Sequence, residues 1–110
     1  VIARPVFVAV CGASLFVLFL PGSDVPTNVP VSDKVVHAGL FFLLALTGRW
    51  AGLSTATLAV ELVLYAAASE VLQSVLPIHR DGDVRDALAD VAGLAMGLVV
   101  ARLVRRRALG

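Results

Sequence analysis

Cysteine is almost absent from this 110-residue chain. Cys11 is the single one, so no disulfide can form within the chain, and cysteine usage says nothing about redox compartment. Charge is scarce as well: Asp, Glu, Lys and Arg supply 15% of the residues, where soluble domains carry about 25%. A net charge of +1 is too small to call for a nucleic-acid partner. The chain has no H-E-x-x-H pair and no glycine-rich phosphate loop. It has no period-two alternation of the kind a half-buried strand shows, and no repeat or low-complexity stretch. No small-residue cleavage site follows the first apolar run, so that run is read as an uncleaved first helix rather than a signal peptide.

What is present is apolar surface. The chain is 59% hydrophobic, with a mean hydropathy of +0.94. Hydrocarbon is the solvent that suits such a composition. Four apolar segments stand out, at about 2–20, 32–50, 53–76 and 84–104. Each is too long for a strand, and lipid leaves the backbone only helices or closed barrels. The expected fold is an all-α membrane protein, one domain over 1–110, built as a bundle of four transmembrane helices. Pro21, Pro26 and Pro30 make the first connection stiff and extended, and Ser32 or Asp33 is the natural cap of the second helix.

Cation placement sets the expected orientation. With four crossings, Arg4, Arg49, Arg102 and Arg105–Arg107 share one side, and Lys34, Arg80 and Arg85 share the other. Six against three puts both termini in the cytoplasm. Trp50 then anchors at the inner interface, and Arg105–Arg107 face anionic lipid.

On that topology the unusual polar residues fall at one depth, in the outer leaflet. Asp33 and His37 are one turn apart on the second helix, and Glu70 and Gln73 share a face near the end of the third. On the fourth, Asp83, Asp86, Asp90, Gly93 and Gly97 fall on one stripe about 80° wide. Gly93 and Gly97 form the small-residue spacing that lets helices approach closely, so the acids on their stripe point into the bundle. Ionisable groups inside a membrane are expensive and usually mark a site.

Three stretches now carry a resemblance. The D-K-x-x-H that opens the second segment, the E-x-x-Q of "EVLQSVLPIHR" and the R-x-x-D-x-x-D-x-x-x-D-x-x-G of "RDGDVRDALADVAG" resemble the VanZ-like family. They span Asp33 to Gly97 in the expected order. Carried over, the motif positions are Asp33, Lys34, His37, Glu70, Gln73, Arg80, Asp86, Asp90 and Gly93. One departure is Asp90, where the family pattern usually has Asn. The resemblance implies a small integral membrane protein of the bacterial envelope, from a family whose founding member is linked to resistance to the glycopeptide teicoplanin.

The expected function is therefore an outer-leaflet polar site that binds or modifies a lipid-linked or amphipathic molecule. His37, Glu70 and Asp90 are the candidate catalytic or hydrogen-bonding groups. Asp33, Lys34, Gln73, Arg80 and Asp86 are candidate binding residues, and Gly93 and Gly97 pack helices. Partners would be membrane lipids and a lipid-linked envelope precursor or glycopeptide, with oligomers open; whether turnover occurs is also open. A single histidine among the carboxylates argues for neither a metal nor another cofactor. Two other roles stay open: a proton-coupled small transporter or membrane-complex subunit, and a scaffold locked by its polar cluster. The transporter needs polar residues down to the inner leaflet. Below His37 and Asp90 the helices instead read "AGLFFLLALTG" and "VAGLAMGLVVA", and the deep Glu61 lies on the face opposite Glu70.

Overall fold

The computed structural model of the chain describes residues 2–19, 33–76 and 84–109. Four α-helices account for nearly all of them, with no strand among the described residues: α1 Ala3–Phe19, α2 Asp33–Trp50, α3 Thr55–Val75 and α4 Val84–Leu109. Local chemistry sets their ends. Pro5 lies in the first turn of α1, where a backbone donor has no intrahelical partner to lose. α3 stops at Leu76, whose extended backbone (φ −76°, ψ 146°) is what the following Pro77 requires. α4 runs five residues past its expected end at Val104, through the arginines. Arg, Ala and Leu are good helix formers, and cations suit a helix C-terminus.

The α2–α3 turn is the most closely specified local feature. Gly52 takes φ +99°, a left-handed conformation that a side chain would strain. Its N–H donates to the Arg49 carbonyl at 3.1 Å, and the Leu53 N–H donates to the Gly48 carbonyl at 3.0 Å. These two bonds are the Schellman pattern that satisfies the last carbonyls of a helix. Ser54 then caps α3, its hydroxyl accepting from the Thr57 N–H at 3.1 Å. A stop signal and a start signal within three residues explain why α3 begins at Thr55 and not at Leu53, the expected start.

α2 is the hub. It packs most extensively on α4 and also meets α1 and α3, whereas α1 and α4 do not meet among the described residues. The α2–α4 approach is close because of two glycines. A Cβ on Gly93 would run into the backbone carbonyl of Ala38, and one on Gly97 would lie 2.6 Å from the Phe42 carbonyl oxygen and 2.8 Å from the Ala45 Cβ. Gly48 of α2 plays a similar part, its missing side chain leaving room for Leu58 of α3 and Phe7 of α1. Around these contacts Leu18, Phe41, Leu44, Ala45, Leu58 and Leu94 form an apolar centre.

The distribution of polarity is inverted relative to a water-soluble bundle. Ser14, His37, Thr47, Ser69, Glu70, Gln73, Asp86 and Asp90 are buried, while large apolar side chains such as Phe16, Leu64, Leu88, Met96 and Leu103 are exposed. Contiguous exposed apolar surface is rare on soluble monomers and is what lipid-facing helices present. By length and composition, Thr55–Val75 and Val84–Arg105 can each cross a membrane.

A candidate functional site

The N-terminal halves of α2 and α4 meet the C-terminal halves of α1 and α3 at one end of the bundle, and the buried polar groups concentrate there. His37 is in the second turn of α2, 1% exposed. Its Nδ1 lies 2.8 Å from Oδ1 of Asp90, which is 0% exposed. With Asp90 ionised, its carboxylate only accepts, Nδ1 donates, and the lone pair of a neutral ring is then on Nε2. The bond joins α2 to α4. Glu70 Oε1 is 4.0 Å from the same nitrogen, beyond hydrogen-bond reach.

α4 presents both of its acids on the face that Gly93 and Gly97 press against α2. Asp90 stands beside His37, and one turn earlier Asp86 meets Lys34 at 3.3 Å. This second pair is the wet edge of the cluster: the side chain of Lys34 is 48% exposed and that of Asp86 9%. Removing Lys34 would strand the buried Asp86 carboxylate, so Lys34 keeps Asp86 while its exposed ammonium has donors left for a further anion.

α3 supplies Glu70 and Gln73 on the stripe that also buries Leu62, Ala66 and Ser69. Gln73 Nε2 donates to the carbonyl of Leu18 at 2.6 Å. That carbonyl belongs to the last turn of α1, where no intrahelical donor is available, so a side chain on α3 closes the end of α1. Gln73 Oε1 is buried with no hydrogen-bond partner among the described residues. Deeper in the bundle, Ser14 Oγ donates to the Cys11 carbonyl at 2.7 Å and lies 3.0 Å from Tyr65 Oη, which therefore donates to it. The Tyr65 ring stacks on Phe41, with centroids 5.4 Å apart.

The structure thus brings together His37, Glu70 and Asp90, with Lys34 and Asp86 at the edge and Gln73 on the α1 side. Asp33 opens α2, and Arg80 and Asp83 lie outside the described residues. Glu61 is exposed and separate from the cluster. The contribution of α1 has no counterpart in the expected site. Ser14 could have been singled out as a hydroxyl within an apolar run, and Tyr65 as the one tyrosine of the chain. The Leu18 carbonyl could not, because backbone groups leave no mark on composition.

One donor atom each from His37, Glu70 and Asp90 lie within 4.8 Å of one another. Their types suit a borderline divalent ion. As they stand, His37 and Asp90 form a direct hydrogen bond with a second carboxyl alongside. A carboxylate fixing the tautomer and orientation of an imidazole leaves Nε2 as a base or hydrogen-bond acceptor.

Comparison with curated proteins finds no match, and comparison with solved structures finds none. The VanZ/LLP1 family pattern matches residues 12–105, which takes in the C-terminal part of α1, all of α2 and α3, α4 up to Arg105 and every residue of the cluster described above. The chain is a member of the VanZ/LLP1 family.

Proposed function

We propose that this VanZ-like protein crosses the bacterial cell membrane four times, with both termini cytoplasmic, and holds in its outer leaflet a binding site for the polar end of a lipid-linked or amphipathic molecule. The observation that carries the reading is the buried His37–Asp90 pair with Glu70 beside it, at one end of a bundle whose outside is apolar. Ionisable groups at such depth are hard to account for by packing alone. Lys34 stands at the edge of this cluster, its exposed ammonium able to meet a phosphate or carboxylate while it keeps Asp86. The buried Gln73 Oε1 accepts from an N–H or O–H of the bound molecule. Should the ligand place a labile group at His37 Nε2, the same pair moves a proton. Arg80 is assigned the role of a second phosphate contact, on the sequence motif alone.

The transporter reading gains no support from the side chains below the cluster. Phe41, Leu44 and Ala45 on α2 and Leu94 on α4 are buried apolar residues, and the polar groups at that depth are the hydroxyls of Ser14, Tyr65 and Thr47, with no buried carboxylate or imidazole there among the described residues.

The family association makes glycopeptide susceptibility the first phenotype to measure. His37→Gln, whose amide N–H can still donate to Asp90, and Glu70→Gln should leave the helical protein in the membrane and shift teicoplanin susceptibility or envelope lipid composition relative to the parent chain. Variants that insert and fold normally with both readouts unchanged would reduce the cluster to a structural lock between helices.

A further inference from the structure

A second feature lies at the opposite end of the bundle from His37. One turn past the Gly97 contact, α2 and α4 part to leave a groove of about 650 Å³, within the ~300–1,000 Å³ typical of small-molecule sites. Its walls are apolar, with Leu46 on α2 facing Val100 and Val104 on α4, and Trp50 is at its end. The charged side chains that line it are Arg49 and Arg105; no acid is among the lining residues. Arg49 is positioned rather than loose, because its Nη1 donates to the Leu53 carbonyl at 2.7 Å and so ties the guanidinium to the α2–α3 turn.

We infer that this groove is a site for one anionic glycerophospholipid of the inner leaflet. Its phosphate would lie between Arg49 and Arg105, and one acyl chain would run along Leu46 and Val100 toward the bundle centre. Charge complementarity selects the occupant. A zwitterionic lipid brings its own cation to the two guanidiniums, whereas an anionic lipid brings net negative charge, which planar guanidinium groups bind through paired hydrogen bonds. Trp50, amphipathic and half-exposed, sits where the acyl region gives way to headgroups. The inference rests on the membrane crossing proposed above and is independent of the His37 cluster.

Trp50 is the chain's single tryptophan, so it reports on the groove alone. The full chain is reconstituted into phosphatidylcholine vesicles containing acyl-chain-brominated phosphatidylglycerol or, at the same mole fraction, brominated phosphatidylcholine. Trp50 fluorescence should be quenched preferentially by the anionic lipid. Arg49→Gln and Arg105→Gln should each lower that preference by about fivefold, the ratio corresponding to ~1 kcal/mol per cation at a lipid surface. Arg4→Gln, on α1 and not among the residues that line the groove, should leave it unchanged. Equal quenching by the two lipids overturns the site. So does a preference that survives the double Arg49→Gln, Arg105→Gln change, which would trace it to general attraction by the other cations. Trp50 shielded from both lipids in a dimeric protein would assign the groove to a second copy instead. A chain that fails to enter vesicles would sink the membrane reading itself. A functional failure of the His37 cluster would leave the quenching preference intact.

Discussion

Asp90 and His37 stabilise each other at a depth where neither tolerates isolation. They are 0% and 1% exposed, and the bond between them is 2.8 Å. Removing one partner of a buried charged pair strands the other, typically at ~3–5 kcal/mol. An amide in place of the carboxylate is a gentler change: its carbonyl still accepts from Nδ1, and what is lost is the charge assistance, roughly 1–2 kcal/mol. Asp90→Asn should therefore fold with modest loss of stability, and Asp90→Ala should lose most of the cooperative transition. Denaturation by a titrated detergent, followed by circular dichroism, separates the two. Equal losses for Asn and Ala would show that the charge, rather than the hydrogen bond, holds the pair. The contrast bears on the family as well, since Asn is the usual residue at this position in the pattern the sequence resembles. An Asp there gives His37 an acceptor-only partner, which fixes its tautomer more firmly than an amide can.

At the scale of elements, α2 and α4 are held close by what two residues lack. A Cβ on Gly93 would meet the Ala38 backbone, which cannot swing aside as a flexible side chain would. Gly93→Ala should destabilise the bundle by ~1–3 kcal/mol or more by forcing the helices apart, and it should loosen the His37–Asp90 contact one turn away. Gly39 is the internal control, with nothing within 4 Å of its would-be Cβ. Gly39→Ala should stabilise by up to ~1 kcal/mol through helix propensity. Thermal unfolding of the two variants in one detergent decides the matter; equal shifts would mean that the glycine contacts do not limit the approach. These contrasts also show what could be read in advance. The helical class and the number of helices follow from composition, because apolar segments of this length have few other forms. The α4 stripe could be read because side chains recur every 3.6 residues, which sets Asp86, Asp90, Gly93 and Gly97 in line. The part of α1 could not. Its tie to α3 runs through the Leu18 carbonyl, and its tie to Tyr65 runs through one serine hydroxyl. Neither has a spacing to detect. The groove past Gly97 was likewise hidden, because its shape depends on how two helices diverge rather than on any one segment.

On the scale of the whole molecule, the two ends of the bundle differ in kind: buried acids and an imidazole at one, arginines around an apolar groove at the other. In a membrane this asymmetry has a direction. Cations are retained preferentially on the cytoplasmic side, so the proposed orientation puts the Arg49–Arg105 end inside and the His37 end outside. Cysteine labelling tests that arrangement in a Cys11→Ser background, which removes the one native thiol. A membrane-impermeant maleimide added to intact cells should label His79→Cys, in the segment between α3 and α4. It should leave Ala56→Cys, exposed at the start of α3 next to the Arg49 turn, unlabelled until the membrane is permeabilised. The reverse pattern would invert the protein. The polar cluster would then face the cytoplasm, out of reach of an externally added glycopeptide, and the arginine groove would lie in the outer leaflet. Both assignments of ligand would fail together. Labelling of both positions from outside would instead mean that α3 does not cross, and the inverted polarity of the bundle would need a covering other than lipid.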